Sequence, residues 1–159
     1  MLTAKLRTNK TAAKFIKQMR KRIGGDTDIL VGVPKDTEPY TTDDDGTIPV
    51  ATVAAAHEFG NSQVPERSFL RSTFDEQQKK YIKMASKLFK KVVDGRMTTE
   101  RIAGLIGSEA QDDVREKIDA IQTPPNSDAT ILKKGSSNPL VDTGHLKQSI
   151  RHEVRTEKS

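Results

Sequence analysis

Pro139-Leu140-Val141-Asp142-Thr143-Gly144-His145-Leu146-Lys147-Gln148-Ser149-Ile150 decides the fold, because its centre supports two incompatible readings. Taken as chemistry, Asp142-Thr143-Gly144 is one half of a carboxylate pair that a dimer would complete. Taken as structure, Asp142 or Thr143 accepts a backbone N–H at the start of a short helix running through Ile150. Gly144 then lets the chain turn closely, and Leu146 and Ile150 face one side. The first reading belongs to a fold built of strands, the second to one that mixes helices with a small sheet.

The flanking sequence favours the second. Ile150, His152 and Val154 alternate with Arg151, Glu153 and Arg155, the period of a half-buried strand. Asp28-Ile29-Leu30-Val31-Gly32-Val33-Pro34 is short, β-branched and closed by proline, and is a natural antiparallel partner for it. Between these strands the pattern is largely helical. Ser72 is placed to cap a long helix, with Asp75 three residues on as a variant capping box. Phe74, Tyr81, Met84, Ala85, Leu88 and Val92 form its apolar stripe, and Asp94-Gly95 breaks it. Thr98 or Thr99 starts the next helix, where Ile102, Ile106, Ala110, Val114, Ile118 and Ile121 recur about four apart. The two form an antiparallel hairpin over residues 72–122. Thr123-Pro124-Pro125-Asn126 ends it, Ser127 to Lys134 makes two helical turns closed by Gly135, and residues 140–156 supply the last helix and strand.

Nearer the N-terminus, residues 1–24 read as a basic amphipathic helix with Ala12, Phe15, Ile16, Met19 and Ile23 on its apolar side, stopped by Gly24-Gly25. Lys35 to Thr47 is a loop or hairpin tip, and Pro49 to Phe59 a short alanine-rich helix with Gly60 just past its end. Asn61 to Glu66 is an extended connector. The fold class expected is α+β: one domain spanning residues 1–159, with a small antiparallel sheet packed by long helices.

Charged residues make up 31% of the chain and apolar ones only 33%, which suggests an open subunit that completes its burial against copies of itself. There is no cysteine, so disulfides, cysteine-based zinc sites and thiol nucleophiles are excluded. No apolar run approaches the roughly 20 residues that span a bilayer, and the N-terminus lacks an apolar signal core, so the chain is expected to be soluble and cytoplasmic when made. Met1 to Gly25 holds eight basic residues and no acidic one, and Lys79, Lys80, Lys83, Lys87, Lys90 and Lys91 form a second cluster. Such clusters suit phosphate backbones, and a nucleic-acid-binding module using the N-terminal helix is the alternative function. No nucleic-acid motif accompanies the charge, so a solvated face or an acidic neighbouring subunit is the plainer account.

Catalytic readings fare poorly. Aspartic proteases share one proton between two carboxylates, and Leu140 and Val141 precede the triplet as apolar residues do in that family. The retroviral type, however, is almost entirely β. It carries a small residue where His145 stands and an apolar-apolar-Gly element after the triplet, for which this chain has no counterpart. His57-Glu58 has no second histidine four residues on, and Gly24-Gly25 lacks the Gly-Lys-Ser/Thr of a phosphate loop. Asp43-Asp44-Asp45-Gly46 lacks the spacing and closing Glu of a calcium loop. No catalytic residue, metal or cofactor is expected.

Two segments together resemble a family. Ala54-Ala55-Ala56-His57-Glu58-Phe59-Gly60-Asn61-Ser62-Gln63-Val64-Pro65-Glu66-Arg67-Ser68-Phe69-Leu70-Arg71 is similar to the pattern of HK97 gp10-like neck and tail-completion proteins of tailed phages, where (H/W)-E-(F/Y)-G precedes (I/V)-P-x-R-x-F-(L/F)-R and a long helix. Residues 139–150 resemble that family's second signature, P-L-x-D-T-G-x-L-x-x-S-I, in the same order. Glu66 and Ser68 depart from it, standing where the family often has small residues or proline.

The resemblance implies a virion structural protein at the head–tail junction, made in the host cytoplasm. It would form a homo-oligomeric ring, with a hexamer favoured and a dodecamer the alternative, contact other neck and tail proteins, and meet DNA only as cargo passing through its channel. No membrane is involved. It also implies that His57, Glu58, Phe59, Gly60, Pro65, Arg67, Phe69, Leu70, Arg71, Asp142, Thr143, Gly144 and Leu146 serve assembly or the motif's own structure. Phe69, Leu70 and Arg71, held by Pro65 before a helix, would make an interface anchor of the aromatic-plus-arginine kind. Replacing Arg67 or Arg71 would then block assembly and leave the monomer folded. The plainer expectation is that Phe69 and Leu70 pack under the subunit's own sheet.

Overall fold

The structure, a computed structural model, describes residues 10–23, 25–42, 45–134, 137–141 and 143–156. In chain order the elements are α1 (Lys10–Ile23), β1 (Thr27–Gly32), β2 (Tyr40–Thr41), β3 (Thr47–Ile48), α2 (Val50–Phe59), α3 (Leu70–Val93), α4 (Thr99–Ala120), α5 (Asp128–Lys134), α6 (His145–Ser149) and β4 (Arg151–Thr156). Long helices on a small antiparallel sheet make this an α+β fold, as the sequence indicates.

β1 and β4 pair antiparallel, with Ile29 opposite Val154 and Val31 opposite His152. These four point to one face, which lies on α4, while Asp28, Leu30, Arg151, Glu153 and Arg155 point to water. The alternation read from residues 150–155 is therefore the pleat itself. β1 stops at Gly32, two residues short of expectation; Pro34 has no N–H to lend a ladder. The polar stretch after it closes as a second hairpin, β2 on β3, a pairing the sequence leaves as a loop or hairpin tip. Asp43, Asp44, Gly24 and Gly135 lie outside the described residues.

Beneath the sheet lies α4, and α3 packs on the far side of α4. Thr98 opens α4 by accepting the Arg101 N–H, as a threonine at that position should. The α3 end is a Schellman turn: Gly95 N–H reaches Val92 O, and Arg96 N–H reaches Lys91 O. Gly95 sits at φ 74°, a conformation that costs other residues strain. The hairpin is stitched along its length by Lys117 to Glu76 and by Lys80 to Asp113 and Glu109. The Tyr81 hydroxyl donates to Asp113, and burial together with that carboxylate pushes the phenol pKa up.

α4 buries Ile102, Ala103, Gly107, Ala110, Val114 and Ile118 along one stripe. Gly107 belongs to the stripe because a Cβ there would stand 2.6 Å from Cδ2 of His152, whose ring is held by Gln111. Gly107→Ala should therefore destabilise the chain by about 1–2 kcal/mol, overpacking outweighing the gain in helix propensity. A urea unfolding curve checks it; a stabilised variant would mean His152 moves aside freely.

The main core gathers Val50, Ala54, Phe69, Val114, Ile118, Leu140, Leu146 and Ile150. It sits where α2, the start of α3, the end of α4 and residues 139–150 converge. α1 lies apart from it. Arg22 Nη1 donates to Val93 O, and Ile23 O accepts from Thr99 Oγ1, fixing the helix's C-terminal end to the hairpin turn. On its apolar side Phe15 and Ile16 are 55% and 53% exposed.

Candidate functional site

Residues 57–71 leave α2, reverse direction and enter α3. The reversal starts at Gly60, at φ 70°, where a Cβ would lie 2.9 Å from Glu66 N. Asn61 Oδ1 then accepts the Gln63 and Val64 N–H groups, an Asx turn that holds the bend. Arg67 N–H reaches His57 O at 2.7 Å, so the returning strand lies against the end of α2 with exposed Pro65 on its outer course.

This arrangement puts Glu58, which is 2% exposed, at the start of α3. Its Oε2 accepts the N–H groups of Phe69 and Leu70, both at 2.8 Å. Its Oε1 accepts Ser68 Oγ at 2.7 Å, and the Arg71 N–H and Nε at 3.0 Å. Five donors converge on one carboxylate, three of them backbone groups that a helix start leaves without partners. The negative charge also meets the positive end of the α3 dipole. Burial alone would raise the carboxyl pKa, but the Leu70 and Arg71 amides, the Ser68 hydroxyl and the Arg71 guanidinium outweigh it and hold Glu58 below the usual value.

Glu58 thus does the capping that Ser72 was expected to do. α3 begins at Leu70, and the Ser72 hydroxyl instead donates to Ser68 O within the first turn. A cap from another helix leaves no local sequence pattern, which is why a capping box misplaces the N-cap by three residues, at Ser72 and not Phe69.

Arg71 is the outward half of the same construction. With its side chain half exposed, it pairs with Glu58 and Glu66, donates to Glu58 O, and lies 4.8 Å over the Phe59 ring. Phe59 is itself 63% exposed. Arg67 and Phe69, by contrast, are 4% and 0% exposed, so they are not outward anchors. Phe69 fills the chain's own core, with Leu70 half buried beside it, as the plainer expectation had it. Arg67 holds the connector after α4: Nε donates to Pro124 O, and Nη2 to Pro125 O and Asn126 Oδ1. The part played by residues 124–126 has no sequence signal beyond the prolines that end α4.

The second segment meets the first in the core, since Leu140, Leu146 and Ile150 pack in the same cluster as Phe69. Asn138 Oδ1 accepts the Leu140 and Val141 N–H groups. Thr143 Oγ1 accepts the His145 N–H at 3.4 Å, and Gly144 at φ 78° precedes α6, which is shorter than the expected helix through Ile150. Asp142 lies outside the described residues. The His145 ring contacts Tyr40 edge-on and Glu38 O through Nε2, tying α6 to the β2–β3 hairpin. His57, His145 and His152 are thus in three different settings, and among the described residues no cluster of three or more acidic or histidine side chains suits a metal ion. No helix of the described residues is long and apolar enough to cross a membrane.

Compared with protein-family models, with curated proteins and with solved structures, the chain matches none of them.

Proposed function

We propose that the chain is a structural subunit of the tailed-phage neck or tail-completion type, acting in the virion by assembling into a homo-oligomeric ring rather than by turnover. One observation carries the reading: a chain poor in apolar residues leaves many of its largest ones in water. Ile82, Phe89 and Val93 are 59%, 43% and 41% exposed and recur along one face of α3. Phe15 and Ile16 are likewise exposed, side by side on α1. Covering the half of each such side chain that remains open is worth roughly 1 kcal/mol, and a second copy offers the surface to cover it. Head-to-tail contacts whose rotation closes would give a ring that leaves a channel for DNA and presents its rims to neighbouring neck and tail proteins. The two signature segments support the same reading, because they meet to build the junction between α2, α3 and the C-terminal strand. On this view Phe59 and Arg71, with exposed Pro65 between them, are motif residues available to a neighbour.

The double variant Ile82→Glu/Phe89→Glu should keep the monomer's thermal stability and lose the ring. Native mass and negative-stain imaging across a concentration series read this out. Rings formed by the variant as readily as by the parent would sink the assignment of this face.

A nucleic-acid-binding role is the second reading, and the docking of α1 favours it. Arg22 at the hairpin turn brings the basic end of α1 beside Lys90 and Lys91, none of them in a charged pair among the described residues. A steep fall of duplex affinity with salt in a gel shift would support it; weak, flat binding would leave the structural role.

A further inference from the structure

Arg67 is a buried cation with no counter-ion among the described residues. Its partners are the neutral oxygens Pro124 O at 2.7 Å, Pro125 O at 3.1 Å and Asn126 Oδ1 at 3.2 Å, with His57 Nδ1 at 3.4 Å. Buried charges are normally paired, because leaving water is costly for a lone ion. Burial pushes the guanidinium pKa down, and no acidic neighbour offsets it. The guanidinium has five N–H groups; the contacts engage four and leave one on Nη1 unused. Beside it, Asn126 Nδ2 is buried and has no hydrogen-bond partner among the described residues. Its Oδ1 is committed to Arg67, so neither amide hydrogen has an acceptor there.

Both groups line a cavity of about 480 Å³, with His57 alongside them and exposed Gln63, Ser127 and Thr130 at its rim. A pocket whose lining includes a residue with an unpaired positive charge and another with unmet N–H donors is matched to an acceptor-only group bearing negative charge. An apolar ligand or a cation would leave the donors unmet and the charge uncompensated.

We propose that this pocket is an oxyanion site, in which a carboxylate or phosphate group supplies the charge that Arg67 lacks and accepts from Arg67 Nη1 and Asn126 Nδ2. The group can be a free oxyanion or an acidic side chain carried by another chain. The site stands independently of the ring, since every residue in it belongs to one subunit.

The test uses the full chain, titrated separately with inorganic phosphate, with acetate and with a short glutamate-rich peptide, each against sodium chloride at equal ionic strength. The readouts are Tm and the NMR shift of the Arg67 Nε–H. A saturable rise in Tm, with movement of that resonance, is expected for at least one of the three and not for chloride. Response to phosphate or acetate alone identifies a free oxyanion; response confined to the peptide identifies a carboxylate on a partner chain. Asn126→Asp keeps the acceptor for Arg67 and supplies the missing charge internally, so it should raise Tm without added anion and abolish the response. Should it fail to fold, Gln63→Glu at the exposed rim delivers the same charge. A parent chain that answers no anion beyond chloride, or a charged variant that still answers like the parent, overturns the proposal.

Discussion

Glu58→Ala is expected to cost about 3–5 kcal/mol, the range for removing one partner of a buried, hydrogen-bonded charge network. The substitution strips acceptors from the Phe69, Leu70 and Arg71 amides, from the Ser68 hydroxyl and from the Arg71 guanidinium at once. The half-exposed Arg71 guanidinium can turn to water and to Glu66, but the buried Phe69 amide cannot without opening the junction between α2 and α3. Glu58→Gln keeps one acceptor oxygen and should fall between alanine and the parent. The pH dependence has a definite sign. The folded pKa lies below the unfolded value of 4.5, so the carboxylate's contribution is complete above that value and disappears as pH falls through the folded one. Urea midpoints of the parent and of Glu58→Gln should converge in acid. An alanine variant with the parent's midpoint at neutral pH would show that Glu58 does not hold the start of α3.

Phe69→Ala should cost a similar amount, about 3–5 kcal/mol, because a fully buried phenyl is replaced by a cavity at the centre of the core. The comparison with Phe59→Ala gives the result its meaning. Both residues belong to the same signature, but Phe59 is mostly exposed and contributes through its contact with the Arg71 guanidinium, worth about 0.5–1 kcal/mol at such a site. Equal losses for the two variants in equilibrium unfolding would mean that the core is not built around Phe69.

The elements legible in the sequence are those whose information is local. The hairpin helices show as a period near four from Ile102 to Ile118, the last strand as alternation from Ile150 to Val154, and the reversal after α2 as Gly60. The turn at Asp94-Gly95 was visible for the same reason. What stayed hidden depends on residues far apart in the chain. The β2–β3 pairing leaves only two residues on each side, too few for a period. The cap from Glu58, eleven positions before the first backbone donor it meets, has no local motif. Arg67 was expected to serve assembly and not the monomer's own fold; its hold on residues 124–126 is visible only once the hairpin folds back. The stripe on α3 was also read too generously: Phe74 is 37% exposed and Thr73 is buried in its place, since the helix turns a narrower side to α4 than the apolar residues suggest.

The pairing of β1 with β4 has a consequence in time. Thr27 lies opposite Thr156, so the sheet joins a strand made early on the ribosome to one made late. Helical segments with local contacts form quickly, whereas a pairing across so much intervening chain must wait for the loop to close. During synthesis β1 therefore spends the longest interval with bare backbone donors and acceptors, beside a hairpin that is already complete. The solvent side of β1, with Asp28 among its residues, is the side on which charge can keep such incomplete chains from pairing with one another before β4 arrives.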